Sequence, residues 1–184
     1  MLKNLPFLLL MLVLALFLTA CNDDDPIIEN EEELITTLGY TLTSGGETVT
    51  LLFQDFDGDG GEAPIITGGT LTANTNYVGS MQLLNESETP TEDITEEIAE
   101  EDDDHQFFFE TDIPGLSFIY TDGDSAAQPV GLSSTLSTGN AGSGTITITL
   151  RHEPNKSAEG VSDGDITNAG GETDIEVTFP VDVQ

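Results

Sequence analysis

From Leu34 onward the chain alternates apolar and polar residues with a period of two. Leu34, Leu38, Tyr40 and Leu42 share a face with Thr36, while Ile35, Thr37 and Thr41 take the other. Val49, Leu51 and Phe53 alternate with Thr48, Thr50 and Gln54, and Tyr77, Met81 and Leu83 keep one phase. Ile146, Ile148 and Leu150 are interleaved with Thr145, Thr147 and Thr149. The last run sets Ile175, Val177, Phe179, Val181 and Val183 against Glu176, Thr178, Pro180 and Asp182. Threonine on one face with β-branched or aromatic residues on the other is what a half-buried antiparallel strand requires. Gly, Asp, Asn and Ser clusters separate the runs, among them Ser44-Gly45-Gly46 and Gly58 to Gly61. With Phe107–Phe109, Phe118–Tyr120 and Val130–Leu136 added, about seven to nine strands are predicted, enough for an all-β antiparallel sandwich of two sheets. Pro180 has no N–H to give to a ladder, so the last strand is expected at a sheet edge.

One short helix interrupts the strands. Thr89 or Thr91 is the expected cap, Pro90 falls near the first turn, and the helix is predicted from Glu92 to Asp103. Ile94 and Ile98, four apart, form a narrow apolar stripe suited to sealing one end of the sandwich. Nine of the thirteen residues from Glu92 to Asp104 are acidic. Acids at the helix start suit its dipole, whereas Glu100 to Asp104 fall where the dipole disfavours them, so packing or cations must hold that end.

The segment Leu71-Thr72-Ala73-Asn74-Thr75-Asn76-Tyr77 places a Leu six residues before a Tyr across a polar turn. It resembles the tyrosine corner of fibronectin type III and related Ig-like domains, which implies an Ig-like or transthyretin-like sandwich. The corner arrives after only two or three predicted strands, so the usual strand order is not expected.

The first twenty residues follow another pattern. Lys3 supplies a positive start, Leu5 to Ala20 is apolar, and Leu18-Thr19-Ala20-Cys21 follows. This resembles the lipobox of bacterial lipoproteins, which implies cleavage before Cys21 and lipidation of that residue. Cys21 is the sole cysteine, which excludes an internal disulfide framework. About sixteen apolar residues are short for a membrane span. Acyl chains, at about 0.8 kcal/mol per buried CH₂, would hold the protein on a membrane without one. Residues 22–33 carry seven acids in twelve positions, a self-repelling tether that could reach about 40 Å when extended. Asn22 to Asp25 also resembles the export signal that sends lipoproteins of the Bacteroidota to the outer face of the outer membrane.

Charge narrows the partners. Across 184 residues, 35 Asp and Glu face 3 Lys and Arg, a formal net charge of −32. Phosphate recognition needs clustered cations, so nucleic acid is excluded as an electrostatic partner. Sixteen of the acids lie in the tether and the helical run.

Three features bear on chemistry. Asp55, Asp57 and Asp59 alternate ahead of Gly60, the first half of a calcium loop, because a hard cation collects oxygens from alternate residues. The twelfth position is Ile66 where an EF-hand needs a bidentate Glu, which leaves Glu62 as substitute ligand, or the segment as a solvated turn. Asp-Gly-Asp recurs at 122–124 and 163–165 without the third acid. His105 closes the acidic run and His152 follows a strand beside Arg151 and Glu153. Two imidazoles with carboxylates can bind zinc or copper where they converge, but His152 shares the phase of Ile146 to Leu150 and is more simply read as the end of an inward row. No nucleophile motif, phosphate loop or dinucleotide fingerprint is present, so no catalytic group is assigned. Asp124-Ser125-Ala126 resembles the acceptor of Bacteroidota O-glycosylation, with Ser125 as the site.

Three regions are thus expected: a lipoprotein signal peptide at 1–20, the lipidated Cys21 with its acidic tether at 21–33, and a sandwich at 34–184. The whole resembles a small Bacteroidota lipoprotein. That resemblance implies a non-enzymatic binding module, held on the outer membrane by its lipid and facing a protein partner such as a transporter. A calcium- or zinc-binding lipoprotein is the alternative.

Overall fold

The computed structural model describes residues 34–57 and 61–184. The expected signal peptide at 1–20 and the expected lipidated Cys21 with its acidic tether at 21–33 lie outside the described residues. The expected all-β sandwich is present: among the described residues ten strands form two sheets, with one α-helix. A six-stranded sheet contains β1 (Thr37–Ser44), β2 (Glu47–Gln54), β3 (Ile65–Thr67), β5 (Asn76–Leu84), β7 (Ser117–Tyr120) and β8 (Ser133–Ser137). Its order is β3-β2-β1-β5-β8-β7. A four-stranded sheet holds β4 (Gly69–Leu71), β6 (His105–Thr111), β9 (Gly142–His152) and β10 (Glu172–Val183) in the order β4-β10-β9-β6. All pairings are antiparallel except β4 with β10. The strand count exceeds expectation because three-residue pieces such as β3 and β4 carry too few positions to show a period.

Local chemistry explains the framework. β1 and β2 form a hairpin in which Ser44 pairs with Glu47 across Gly45 and Gly46, both at positive φ (55° and 93°). A two-residue turn of this kind matches the strand twist only with two left-handed residues, which glycine adopts without penalty. The period-two phases then decide the faces. Leu38, Tyr40 and Leu42 of β1 and Leu51 of β2 turn inward against Ile146, Ile148, Leu150 and Phe179 of the other sheet, all fully buried. Gly79 gives Tyr40 its space, since a Cβ there would sit 2.4 Å from the phenol oxygen. The Tyr40 hydroxyl and Ser134 Oγ, 2.6 Å apart, satisfy each other inside the core.

The tyrosine-corner segment carries the chain from β4 in one sheet to β5 in the other. Thr72 N–H donates to the Tyr77 hydroxyl at 2.8 Å, and that hydroxyl donates to Glu47 Oε2 at 3.0 Å. Leu71 and Tyr77 are both fully buried.

Two expectations need correction. Pro180 marks an edge only in part, because β4 pairs outside β10 over Val181–Val183 while β10 up to Pro180 is paired on its β9 side alone. That ladder begins one residue after the proline, so the missing N–H costs nothing. The helix α1 spans only Ile94–Glu100, capped by Asp93, whose carboxylate accepts the Thr95 N–H at 3.1 Å. Ile94 and Ile98 are buried as expected. The run from Glu101 leaves the helix, consistent with the dipole argument, and turns into β6.

A second, smaller core lies on the outside of the four-stranded sheet. Phe108 points outward from β6 yet is fully buried, because the long connection from β9 to β10 folds over it with Val161 and Ala169. Gln106 of the same face donates to Val161 O at 2.8 Å and fastens that connection down.

Candidate functional site

The Asp55 loop leaves the end of β2. Asp55 is half-buried, and its backbone N–H donates to Thr36 O at 2.7 Å. Asp57 is exposed and its Oδ2 accepts the Glu62 N–H at 3.2 Å, so the side chain closes the turn on the main chain of the residue expected to ligate. Asp59 lies outside the described residues. Among the described residues no group of three or more His, Cys, Asp or Glu side chains is placed to share one metal ion. The other Asp-Gly-Asp motifs are used within the fold. Asp122 accepts the N–H groups of Gly131 and Ser133 at 2.9 and 2.8 Å, and Asp165 caps a 3₁₀ turn through Thr167 N–H at 2.9 Å.

His105 and His152 are brought together. They are directly opposed on β6 and β9, at the end of the inward row, and their rings stack 4.7 Å apart and within 9° of parallel. Nitrogen lone pairs lie in the ring planes, so rings stacked this way direct them side by side rather than toward one point; joint zinc ligation would need at least one ring to turn. His105 is fully buried, with Nδ1 3.1 Å from Glu101 O. Burial lowers its pKa, with His152 adding to the effect, while the Glu101 contact and the Asp104 charge oppose it. The neutral imidazole is therefore the native form.

A buried ion pair lies at the loops around this end. Lys156 Nζ is 3.1 Å from Asp124 Oδ2 and also donates to the carbonyl of Asp102. Asp124 Oδ1 takes the N–H groups of Ala126 and Gln128 at 2.9 and 2.8 Å. Burial alone would raise the Asp124 pKa, but the bonds from Gln128, Lys156 and Ala126 together with the Lys156 charge hold it below the ordinary carboxylate range. The sequence reading missed this pair; the available signal was that Lys156 is the single lysine after Lys3. Ser125, next in the chain, is exposed on the same loop, where a modifying enzyme can reach its hydroxyl.

The outer face of the six-stranded sheet is distinguished by what it lacks. From β3 to β7 no outward strand position of that face carries a charge, and Glu86, which follows β5, brings a carboxylate to it at one end, where it accepts from the outward Thr37 hydroxyl. One cross-strand row runs Thr48, Thr43, Val78, Thr135, Ile119, and the next Thr50, Thr41, Ser80, Ser133. Val78 and Ile119 are 67% and 63% exposed, and Ile65 on the edge strand 60%, a degree of apolar exposure that sets these positions apart from the hydroxyls between them. The outer face of the four-stranded sheet differs, with Glu110, Arg151, Glu176 and Asp182 among its outward residues. Near that sheet, Gly68, Thr70, Ser143, Gly144 and Asp182 line an open groove of about 430 Å³. Comparison of the chain with protein-family profiles, curated proteins and solved structures finds no match.

Proposed function

We propose that the protein is a lipid-anchored, non-enzymatic envelope lipoprotein whose sandwich is an interaction module for another protein chain, with the outer membrane as its support. The observation that carries this reading is the absence of charged residues from the outward strand positions of the six-stranded sheet, which Glu86 meets only at the Thr37 end. A chain with 35 acids has no physical need to keep one broad, solvent-facing surface free of them, since surface carboxylates favour solubility. Removing charge from a surface lowers the desolvation cost of covering it, and charge depletion is what distinguishes the centre of protein interfaces. Lipobox-like Leu18-Thr19-Ala20-Cys21 supports the anchor, and the acidic residues 22–33 support a solvated spacer that lets the sandwich reach a membrane partner such as a transporter.

Three measurements test the reading. Cells fed labelled palmitate should label the full chain and not its Cys21→Ser variant; label on neither removes the anchor. Affinity capture from solubilised envelopes should recover a bound chain with the wild-type bait and lose it with Val78→Glu/Ile119→Glu. Equal recovery by both baits would move the binding surface elsewhere. Protease applied to intact cells should digest the sandwich if it is displayed at the surface.

A further inference from the structure

Resting on the lipid-anchor reading, the geometry points to a lipid surface as the occupant of an exposed apolar corner where the chain enters the six-stranded sheet. Among the described residues six large apolar side chains are exposed, and four of them, Leu34, Phe56, Ile65 and Ile66, lie at this corner. Single apolar residues scattered over a surface need no explanation, but a cluster rimmed by polar residues marks a place of contact. The register brings the four together. Asp55 N–H donates to Thr36 O, which extends the β1–β2 ladder one step past the Thr37–Gln54 pair and sets Phe56 beside the entry to β1. Gln54 pairs in turn with Ile65, the first residue of β3. Leu34, Phe56 and Ile65 are 49%, 54% and 60% exposed, and Ala63 and Pro64, which lead into β3, are exposed as well.

Where the chain leads decides the occupant. Leu34 belongs to the corner and is also the point at which the chain from Cys21 arrives. Twelve residues lie between the two, a reach of at most about 40 Å. A lipid on Cys21 therefore tethers this corner to the bilayer more closely than the Gly45-Gly46 hairpin at the far end of β1. A tethered second contact is intramolecular, so weak apolar contact suffices to hold it. The shape agrees. Side chains projecting from a turn and from a three-residue edge strand offer little flat area to a protein partner, but they can enter the boundary between headgroups and acyl chains. Asp57 and Glu62, exposed in the same loop, stay in the water beside them. The acids also set the kind of lipid: a chain of net charge −32 is repelled by anionic headgroups, so the fitting surface is zwitterionic.

The test uses the full chain, purified from envelopes and reconstituted into phosphatidylcholine vesicles. An environment-sensitive fluorophore is attached through Phe56→Cys, Ile65→Cys or, at the hairpin end of β1, Thr43→Cys. Expected is emission from 56 and 65 that is shifted to the blue and quenched by lipids spin-labelled at the headgroup, with emission from 43 unaffected. A fluorophore at Glu62→Cys should lose its quenching when Phe56→Ser and Ile65→Ser are added, in a variant whose circular dichroism still reports the folded sandwich. That loss separates insertion from the nearness a tether alone imposes, and unchanged quenching overturns insertion. Replacing part of the phosphatidylcholine by phosphatidylglycerol should weaken the quenching at low salt. Chains that float with the vesicles while 56 and 65 stay as water-exposed as 43 overturn the docking and leave the lipid anchor standing. Chains that do not float overturn both. Shielding of 56 in whole envelopes but not in pure lipid vesicles overturns the lipid surface in favour of a protein partner.

Discussion

Lys156 Nζ lies 3.1 Å from Asp124 Oδ2, with the two side chains only 6% and 3% exposed. The pair joins the connection after β9 to the one between β7 and β8, and the additional bond to the Asp102 carbonyl draws in the segment between α1 and β6. Three loops at one end of the sandwich therefore depend on one ammonium group. Removing one partner of a buried pair strands the other's charge, at a cost of about 3–5 kcal/mol. Lys156→Met is expected to lower the melting temperature by roughly 10 °C, given about 2–4 °C per kcal/mol for a domain of this size. Lys156→Met/Asp124→Asn should recover part of the loss, because no unpaired charge remains. A double variant no more stable than the single would show that the pair is not the fastening.

His105 makes stability depend on pH with a definite sign. Burial lowers its native pKa, so the unfolded chain binds the proton more readily. Stability from this group is complete above the unfolded value near 6.5 and is lost as pH falls through that value toward the lower native one. Glu97 pushes the other way as pH falls toward the ordinary carboxylate range: burial first, then Glu92, Glu101 and Glu100, raise its pKa, so protonation there relieves repulsion. A difference measurement separates the two effects. Between pH 7.5 and 5.5 the wild type is expected to lose more melting temperature than His105→Gln, which keeps a donor for Glu101 O but does not titrate. Identical pH slopes would remove His105 as the cause.

The corner at Tyr77 carries a prediction about the sheet-to-sheet crossing. Its hydroxyl accepts from Thr72 N–H and donates to Glu47 Oε2, and the residue is fully buried. Tyr77→Phe keeps the ring and leaves the Thr72 amide without that acceptor, a loss of roughly 1–3 kcal/mol. Denaturant titration should show a lower midpoint at unchanged slope. A midpoint equal to wild type would mean that water replaces the hydroxyl without loss.

Local periodicity carried the strand pattern well because each long strand has one buried face. Val177, Phe179, Val181 and Val183 are all buried while Glu176, Thr178, Pro180 and Asp182 between them are exposed. The tyrosine corner was legible for a similar reason, since its hydrogen bond spans five residues. The Lys156–Asp124 pair was not, because its partners lie 32 residues apart in loops without period, and only the fold brings them together. His152 ending an inward row was readable from phase, whereas the stacking of His105 on it required the β6–β9 register. The uncharged sheet face was hidden for the same reason: its rows cross strands widely separated in sequence, so no stretch of chain displays them.

The acid excess predicts a dependence of stability on salt. Only Arg151 and Lys156 offset the acids after Lys3, and Lys156 is already committed to Asp124. The helical segment concentrates carboxylates over few turns, and Glu97 shows the strain through its raised pKa, with burial as the largest cause and three neighbouring glutamates behind it. Screening contracts from about 30 Å at 0.01 M to about 8 Å at 0.15 M salt, and repulsion between exposed carboxylates weakens accordingly. The melting temperature is expected to rise steadily from low salt to 0.5 M NaCl, and to rise further at equal ionic strength when calcium replaces sodium, because a divalent ion gathers near dense carboxylate without any built site. Glu96→Gln/Glu100→Gln, both exposed on α1, should raise the low-salt melting temperature and flatten its salt slope. A melting temperature insensitive to both salts would mean that the carboxylates are already spaced widely enough for water alone to screen them.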